Sequence, residues 1–326
     1  MAGFFIYGST RVKTRVYVDG YNFYYGCLKN TPYKWLDLTL LFTDYLLPRS
    51  GVTQSVLHSD CGIKFYTAEI SPKVAEDKHS VNDQRSYHAA LTNYRSGAVQ
   101  VIRGSYTIDK VDSRKVELSE DGTEKLPSDC SKVKVWKLEE KQSDVNVALD
   151  AVFDAFCDPS LEHIVFVTND TDIAPALIKL KELNQLNIRP PIKVGLVIPS
   201  KQRHGSRQGN RTLTDLADWT IHFIMESELA SSQLPCRVTG GKKPALRPVS
   251  WFQYPEKVSG ILDILSDERV CRSVLRSWRW LSEPKPCVGG LPVLSSDPSE
   301  MLHSKEGLEK VLQHVKAYAD YKKDQQ

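Results

Sequence analysis

The stretch His163-Ile-Val-Phe-Val-Thr168-Asn-Asp170-Thr-Asp172 decides the fold. It opens with an apolar run and closes on polar residues that include two carboxylates. A second apolar run, Ile192–Ile198, follows a helical segment near residues 173–184 that carries Pro175 in its first turn, where proline is tolerated. Apolar runs without alternation are typical of strands buried on both faces of a parallel sheet. The order predicts a parallel sheet flanked by helices.

Further strands are predicted where short runs are rich in β-branched and aromatic residues: 15–19, 64–68, 99–102 and 219–224. The first of these ends sharply at Asp19-Gly20. Residues 80–95 have helical spacing of Tyr87, Leu91 and Tyr94 and separate two of the strands. The strand, helix, strand order again favours parallel pairing.

Residues 104–135 are polar and predict an exposed hairpin or flap. A helix with Ser143 as its N-cap follows and ends before Asp158-Pro159. Its apolar stripe is expected to pack on the sheet. The stripe consists of Val145, Leu149, Val152, Phe153 and Phe156.

The sequence changes character near residue 235, where prolines and glycines cluster. We predict a domain over 1–232, a linker over 233–250 and a small helical module over 251–326. The fold class is α/β: a Rossmann-like, mostly parallel sheet flanked by helices, with a small helical C-terminal module.

Composition excludes several protein classes. The 326 residues carry 43 Lys and Arg against 40 Asp and Glu, so a net charge of +3 excludes a strongly basic nucleic-acid coat protein. The seven cysteines are scattered without a C-x-x-C pair, which predicts reduced thiols and no structural zinc. No apolar run approaches the ~20 residues that span a bilayer. We therefore expect a soluble, cytoplasmic protein with no membrane partner.

Carboxylates stand where predicted strands end or helices begin in three distant segments: Asp19-Gly-Tyr-Asn22, Ser143-Asp144 and Asp170-Thr-Asp172. In an open parallel sheet such positions share one edge, so the segments can converge. Clustered carboxylates repel one another unless a cation neutralises them, and oxygen ligands suit Mg²⁺ or Mn²⁺. The sequence therefore predicts a metal site made by Asp19, Asp144, Asp170 and Asp172.

Each of these carboxylates also has a purely structural interpretation. Asp144 would stabilise a helix N-terminus by its negative charge, and Asp170 or Asp172 would be the N-cap of a helix. Asp19 would be a turn residue. Asp150 is a weaker candidate than Asp144 because it lies six residues on, roughly 9 Å further along a helix axis.

The three segments resemble the signature blocks of NYN domains, the bacterial LabA-like relatives of PIN nucleases. The matching residues are Val-Tyr-Val-Asp19-Gly-Tyr-Asn22, Glu140-Lys-Gln-Ser-Asp144-Val-Asn-Val-Ala-Leu-Asp150 and Val-Thr-Asn-Asp170-Thr-Asp172-Ile-Ala-Pro. The resemblance covers roughly residues 13–225. Asn169 departs from it, because the family often has glycine or serine there.

The resemblance implies a Rossmann-like, PIN-like sheet and a metal-dependent endoribonuclease. Asp19, Asp144, Asp170 and Asp172 would be catalytic and hold the metal, with Asn22 in support. A metal-bound water would then hydrolyse the RNA phosphodiester. Lys141 is placed either to meet a phosphate or to pair with a carboxylate at the surface.

RNA contacts are predicted after the Ile192–Ile198 strand, where the positive charges are Lys201, Arg203, Arg207 and Arg211. Phosphate contacts of this kind supply much of nucleic-acid affinity, although a solvated loop is an equal alternative. Tyr21 is a candidate for stacking on bases, and core packing is the alternative.

Two other functions stay open. One is a catalytically inactive RNA- or protein-binding NYN module. The other comes from resemblance alone, because NYN-like chains of this form also resemble a 6-hydroxy-3-succinoylpyridine monooxygenase of nicotine degradation. A hydroxylase needs a flavin or redox metal, and no G-x-G-x-x-G follows the first strand. The tail around Trp280–Gly290 resembles the toxin-binding region of Xre/MbcA/ParS-type antitoxins, which implies a protein partner for residues 251–326.

Overall fold

The computed structural model describes residues 11–325 except 74, 76, 202–207, 285–290, 292–293 and 295–296. In this part of the chain the strands are β1 (Val12–Asp19), β2 (Ser55–Leu57), β3 (Ile63–Thr67), β4 (Val99–Arg103), β5 (Ser105–Arg114), β6 (Lys132–Lys141), β7 (His163–Val167), β8 (Lys193–Val197), β9 (Trp219–Ile221), β10 (Arg237–Val238) and β11 (Ala245–Leu246).

The α-helices of the same residues are α1 (Gly20–Phe23), α2 (Leu38–Leu40), α3 (Leu47–Arg49), α4 (Ser80–Asn93), α5 (Ser143–Cys157), α6 (Ala174–Gln185), α7 (Arg211–Leu216), α8 (Glu226–Ser231), α9 (Pro255–Ser266), α10 (Val274–Leu281) and α11 (Lys305–Asp324). None of the described helices is both long enough and apolar enough to cross a membrane.

A central parallel sheet has the strand order β4-β3-β1-β7-β8-β9, and β2 pairs with the beginning of β1. Val18 of β1 lies between Phe65 of β3 and Val167 of β7. Strands β3 and β4 are added on one side of β1, and strands β7, β8 and β9 are added in turn on its other side. The order therefore reverses between β1 and β7, the place where open α/β sheets bind ligands. The predicted α/β class with a mostly parallel sheet is confirmed.

Two apolar cores cover the two faces of the sheet because successive strand residues point to opposite sides. Val16 and Val18 belong to one core with Phe42 and helix α4. Tyr17 belongs to the other core, with α5 and α6. A third core joins α9, α10 and α11 around Trp278. The domain boundaries predicted near 232 and 250 stay predictions, although residues within that span form the β10–β11 hairpin.

The polar segment after residue 104 forms the expected hairpin, in which β5 and β6 pair from Ser105↔Lys141 to Arg114↔Lys132. The hairpin leads directly into α5 through Gln142, which has a positive φ of 79°.

Helix α5 forms where expected, but its predicted packing face is wrong. The buried apolar positions are Val147, Ala151 and Ala155, whereas most of the predicted stripe points outward. The physical reason is a polar network beneath the helix. Tyr66 donates to Asp150 and Tyr17 donates to Asp154, so these two carboxylates turn the helix towards the sheet.

Candidate functional site

The end of β1 places Asp19 at the point where the sheet order reverses. Asp19 caps α1, because its Oδ1 accepts the backbone N–H of Asn22 at 2.9 Å. Its Oδ2 accepts the hydroxyl of Thr168 at 3.0 Å, from the end of neighbouring β7. Both oxygens are thus held by protein donors, and the side chain is buried with the residue 4% exposed.

The turn after β7 is organised by the same kind of bond. Thr168 Oγ1 accepts the N–H of Asp170 at 3.0 Å, and Asp170 Oδ1 accepts the N–H of Asp172 at 3.1 Å. Asp170 thereby caps the short 3₁₀ turn Thr171–Ile173. The structural interpretations of Asp19 as a turn residue and of Asp170 as a cap both describe real contacts.

Asparagine side chains connect three segments at this edge. Asn22 Oδ1 accepts the N–H of Asn169 at 3.2 Å. Asn169 Nδ2 donates to the carbonyl of Gln208 at 3.2 Å, and its Oδ1 accepts the N–H of Asn210 at 2.8 Å. The segment after β8 is thus tied to the turn after β7. Sequence reasoning did not assign this role to Thr168 or Asn169. The sequence signal for this role is that Thr168 and Asn169 are polar and directly follow a buried strand.

The charges of Asp19, Asp144, Asp170 and Asp172 influence one another, so these side chains belong to one region of the sheet edge. Burial, opposed by the hydrogen bonds from Asn22 and Thr168 and aided by the charges of Asp144 and Asp170, raises the pKa of Asp19 to about 6. Burial also raises the pKa of Asp144, with contributions from Asp170 and Asp172. Asp19 and Asp144 therefore hold protons more readily than free carboxylates do.

The two secondary candidates lie elsewhere. Asp150 Oδ2 accepts the hydroxyl of Tyr66 at 2.8 Å and faces Lys64 at 3.6 Å, within the polar network beneath α5. Lys141 lies 3.8 Å from Glu139 on the hairpin, in the surface pair that was its alternative interpretation.

The predicted RNA contacts are only partly covered by the structure. Tyr21 is half-buried and its ring centroid lies 5.7 Å from that of Tyr25. Lys201 pairs with Ile224 through their backbones in an isolated parallel β-bridge, and Arg211 is exposed at the start of α7. Arg203 and Arg207 lie outside the described residues. RNA as a partner stays a prediction.

The predicted Mg²⁺ or Mn²⁺ site is not formed. In the part of the chain that the structure describes, no group of three or more His, Cys, Asp or Glu side chains is arranged to hold a metal ion. The hydrogen bonds supply a physical reason. Both oxygens of Asp19 and one oxygen of Asp170 already accept hydrogen bonds from N–H and O–H donors of the turns, so these oxygens serve as caps.

Comparison with known proteins gives two matches and one negative result. No protein-family profile matches the chain. A solved structure of a protein of unknown function from Vibrio parahaemolyticus is 18% identical and covers 67% of this chain and 95% of its own, with a TM-score of 0.35. A likeness at that level carries no argument about function.

The second match is much stronger. The 6-hydroxy-3-succinoylpyridine 3-monooxygenase HspA of Pseudomonas putida is 38% identical over 318 residues, which are 95% of this chain and 96% of HspA. A relative named as an oxidoreductase overturns the predicted endoribonuclease activity, and with it the hydrolase class and the Mg²⁺ or Mn²⁺ cofactor. It favours the monooxygenase that the sequence left as an alternative. The chain belongs to the family of this 6-hydroxy-3-succinoylpyridine 3-monooxygenase.

Proposed function

We propose that this protein is a monooxygenase that acts on 6-hydroxy-3-succinoylpyridine or on a hydroxypyridine of the same type. The observation that carries the proposal is the 38% identity to HspA across nearly the full length of both chains. Identity that extends from the sheet through the C-terminal helices supports a shared site as well as a shared fold.

The crevice between the ends of β1 and β7 is the proposed substrate site. A hydroxypyridine moves a proton between its ring nitrogen and its oxygen, so it presents a donor and an acceptor side by side. In the half-buried pair Asp144 and Asp170, a protonated Asp144 would donate to the substrate oxygen and Asp170 would accept from the ring N–H. The raised pKa of Asp144 suits it to take up and return the proton. Asp19 is buried and acts only through its charge.

The succinoyl chain of such a substrate ends in a carboxylate, which the aspartates would repel. Positive charge is available at the rim from Arg211, which directly follows Asn210, the residue that donates to Asn169. We therefore assign Arg211 to the binding of the substrate's carboxylate. Replacement by Gln should raise KM and leave kcat little changed, because the contact exists equally in the ground and transition states.

Monooxygenases activate O₂ with a flavin or a redox metal, which supplies the electron chemistry that side chains lack. The described residues of the crevice do not fit the diphosphate of a flavin dinucleotide, because its anionic groups would meet carboxylates. Gly20 is the lone glycine of the turn after β1, and a Cβ placed there would lie 2.5 Å from the carbonyl oxygen of Tyr66. That glycine allows α1 to pack against β3. We assign no step to a flavin at this crevice.

The test is a turnover assay of the full chain with 6-hydroxy-3-succinoylpyridine, isotopically labelled O₂, and NADH or NADPH, each with added FAD or FMN. We expect substrate-dependent oxidation of the nicotinamide and one labelled oxygen atom in the product. Absence of product in every combination, while the Pseudomonas putida relative turns over under the same conditions, would overturn the proposal.

A matched pair of variants tests the site. Asp144→Asn removes a proton acceptor inside the crevice, and we expect a loss of kcat of about 100-fold or more. Glu139→Gln, on the exposed hairpin just before α5, should leave kcat unchanged. Equal activity of both variants would remove Asp144 from the reaction without touching the assignment of the substrate.

Five predictions from the sequence stay open beside this proposal. They are the domain boundaries near 232 and 250, the relation of the first domain to NYN domains, RNA binding through the positions named above, a protein partner for residues 251–326, and a cytoplasmic location.

A further inference from the structure

A cleft among the C-terminal helices is lined mainly by positive charge. It has a volume of about 400 Å³ and lies between the turn that joins α9 to α10, α10 itself and the last turn of α11. Five basic side chains and one acidic side chain, Glu283, line the cleft. The basic residues are Arg269, Arg272, Arg276, Arg279 and Lys322. We call these five residues the basic cluster.

The basic cluster does not follow from the overall charge of this part of the chain. Residues 251–326 contain 11 Lys and Arg and 11 Asp and Glu, so they are neutral in sum. The segment from Arg269 to Arg279, by contrast, contains four arginines and no acid. Like charges around one cleft repel one another, and a cleft lined by one sign of charge concentrates ions of the opposite sign. The distribution of charge therefore indicates an anionic ligand.

Ion pairs within the protein leave most of this charge uncompensated. Arg279 Nε lies 2.8 Å from Glu283 Oε1, and this contact pairs one cation of the basic cluster with the acid of the cleft. Arg269, Arg272 and Arg276 form no ion pair with any carboxylate of the residues that the structure describes. A ligand that enters the cleft meets these guanidinium groups without having to displace a carboxylate from them.

Two of the guanidinium groups are held through Nε, which leaves the rest of each group available. Arg272 Nε donates to the carbonyl of Glu268 at 3.2 Å, and Arg279 Nε donates to Glu283 at 2.8 Å. The Nη atoms of both side chains make no hydrogen bond to the described part of the chain. The planar guanidinium group matches the oxygens of phosphate, and a side chain that is already held loses less freedom on binding.

An aromatic contact fixes the two sides of the cleft against each other. Trp280 of α10 lines the cleft and is 8% exposed. Its ring centroid lies 5.1 Å from that of Tyr318 on α11, and Lys322 Nζ lies 5.8 Å from the centroid of the same tyrosine ring. Because α10 and α11 are packed together at this point, the arginines of α10 and the lysine of α11 face a cleft of defined width.

The size and the charge of the cleft together select the ligand. One phosphate group carries at most about two negative charges, fewer than the basic cluster can neutralise. The volume falls within the range of about 300–1,000 Å³ that is typical of sites for whole small molecules. A nucleic-acid strand would instead need a longer groove of positive charge that follows its backbone. We propose that the basic cluster binds the diphosphate group of a nucleotide or dinucleotide.

This diphosphate site is separate from the crevice between β1 and β7, whose carboxylates repel such a group. ADP, NADH and FAD all carry a diphosphate, so the shared chemistry does not by itself say which of them occupies the cleft. The proposal does not rest on the proposed monooxygenase activity, because it concerns binding alone.

The test is isothermal titration calorimetry of the full chain at low ionic strength, with ADP, NADH and FAD as diphosphates and AMP and FMN as monophosphates. We expect at least one diphosphate to bind with a micromolar dissociation constant, and its monophosphate counterpart to bind at least about tenfold more weakly because it carries less charge. Binding should weaken as salt is added. Tighter binding of NADH or FAD than of ADP identifies the source of the diphosphate.

Arg272→Gln and Arg276→Gln test the position of the site. Each replacement removes one charge from the cleft and should weaken binding of the diphosphate about tenfold. Both side chains are exposed, so the circular dichroism and the thermal midpoint should stay as in wild type. Lys316→Gln is the matched control, because Lys316 is an exposed cation of α11 that does not line the cleft. Its affinity should equal that of wild type.

Three results would overturn the proposal. One is the absence of diphosphate binding at millimolar concentration, and another is binding that both arginine variants leave unchanged. The third is binding of a single-stranded RNA oligonucleotide that is lost in Arg272→Gln and that ADP does not displace, which would make the basic cluster a nucleic-acid surface. Each result is read from binding, so it is independent of the turnover assay that tests the proposed function.

Discussion

The indole N–H of Trp219 donates a hydrogen bond of 3.0 Å to Nε2 of His163, on strands that both neighbour β8. Because Nε2 accepts this bond, the imidazole proton resides on Nδ1, which faces the hydroxyl of Thr14 at 3.0 Å. His163 is fully buried, and burial, aided by the charge of Lys193, lowers its pKa to about 4. The folded protein therefore holds this histidine neutral.

That lowered pKa predicts a loss of stability in acid. In the unfolded chain the histidine takes up its proton near pH 6.5, whereas the folded chain resists protonation until about pH 4. The unfolded state binds more protons in this window, so the free energy of unfolding falls as pH falls, by about 3 kcal/mol in total. Urea unfolding at pH 7 and pH 4.5 measures it.

His163→Gln should flatten this pH dependence, since glutamine does not titrate. His222→Gln is the matched control, because His222 is exposed immediately after β9 and should leave the slope as in wild type. Equal slopes for all three proteins would show that His163 is not responsible. Part of the dependence should survive in the variant, because burial also lowers the pKa of His88 and of His303 to about 4.

Asn169 is expected to hold the site together. Its side chain makes two hydrogen bonds to the backbone of the segment after β8, at Gln208 and Asn210. Asn169→Ala removes both of these partly buried hydrogen bonds, so we expect a loss of about 1–2 kcal/mol in the free energy of unfolding. We expect kcat/KM to fall by more than the lost stability explains, because the segment that carries Arg211 is no longer held by the side chain of Asn169. Chemical unfolding and steady-state kinetics on the same preparation separate the two effects.

Gln208→Ala provides the control for Asn169. Gln208 contributes its backbone carbonyl to the contact, and the residue is exposed, so alanine keeps the bond. We expect wild-type stability and turnover. If Gln208→Ala were as damaging as Asn169→Ala, the bonds described here would not be the cause.

Glu228 is a buried acid whose role is structural. Both of its carboxylate oxygens accept Arg49 Nη1 at 2.8 Å, and Oε2 also accepts the N–H of Met225 at 2.7 Å. Glu228→Ala loses the helix cap and leaves Arg49 with the carbonyl of Phe223, so we expect a cost of about 2–4 kcal/mol. Glu226→Ala, exposed in the same first turn, should cost less than about 0.5 kcal/mol. Thermal unfolding of the two variants side by side checks the difference.

The sheet could be predicted from the sequence because its strands are long apolar runs with sharp ends. The face of α5 could not be predicted, since Val145, Leu149 and Phe153 form as good a periodic stripe as any core helix. What orients the helix is a set of contacts to Tyr17 and Tyr66, which lie on strands far away in sequence. Periodicity locates an apolar face but does not say what covers it.

The candidate site shows the same division. The convergence of Asp19, Asp144 and Asp170 followed from the rule that parallel strands end at one edge, and their mutual effect on pKa agrees with it. The chemistry did not follow, because carboxylates that cap turns and carboxylates that bind a metal have the same spacing in sequence. Which role applies depends on whether the carboxylate oxygens face donors of the protein, as those of Asp19 face the N–H of Asn22 and the hydroxyl of Thr168.

Two glycines in helices should respond to alanine with opposite signs. A Cβ at Gly20 would lie 2.5 Å from the backbone oxygen of Tyr66 and 2.8 Å from the ring of Phe65, and the backbone cannot move aside cheaply. We expect Gly20→Ala to cost at least about 2 kcal/mol through overpacking. At Gly260, inside α9, a Cβ meets nothing within 4 Å. Gly260→Ala should stabilise the protein by about 0.5–1 kcal/mol, because alanine loses less conformational freedom in a helix. Urea unfolding of both variants measures the two signs, and a neutral Gly20→Ala would show that α1 can move away from β3.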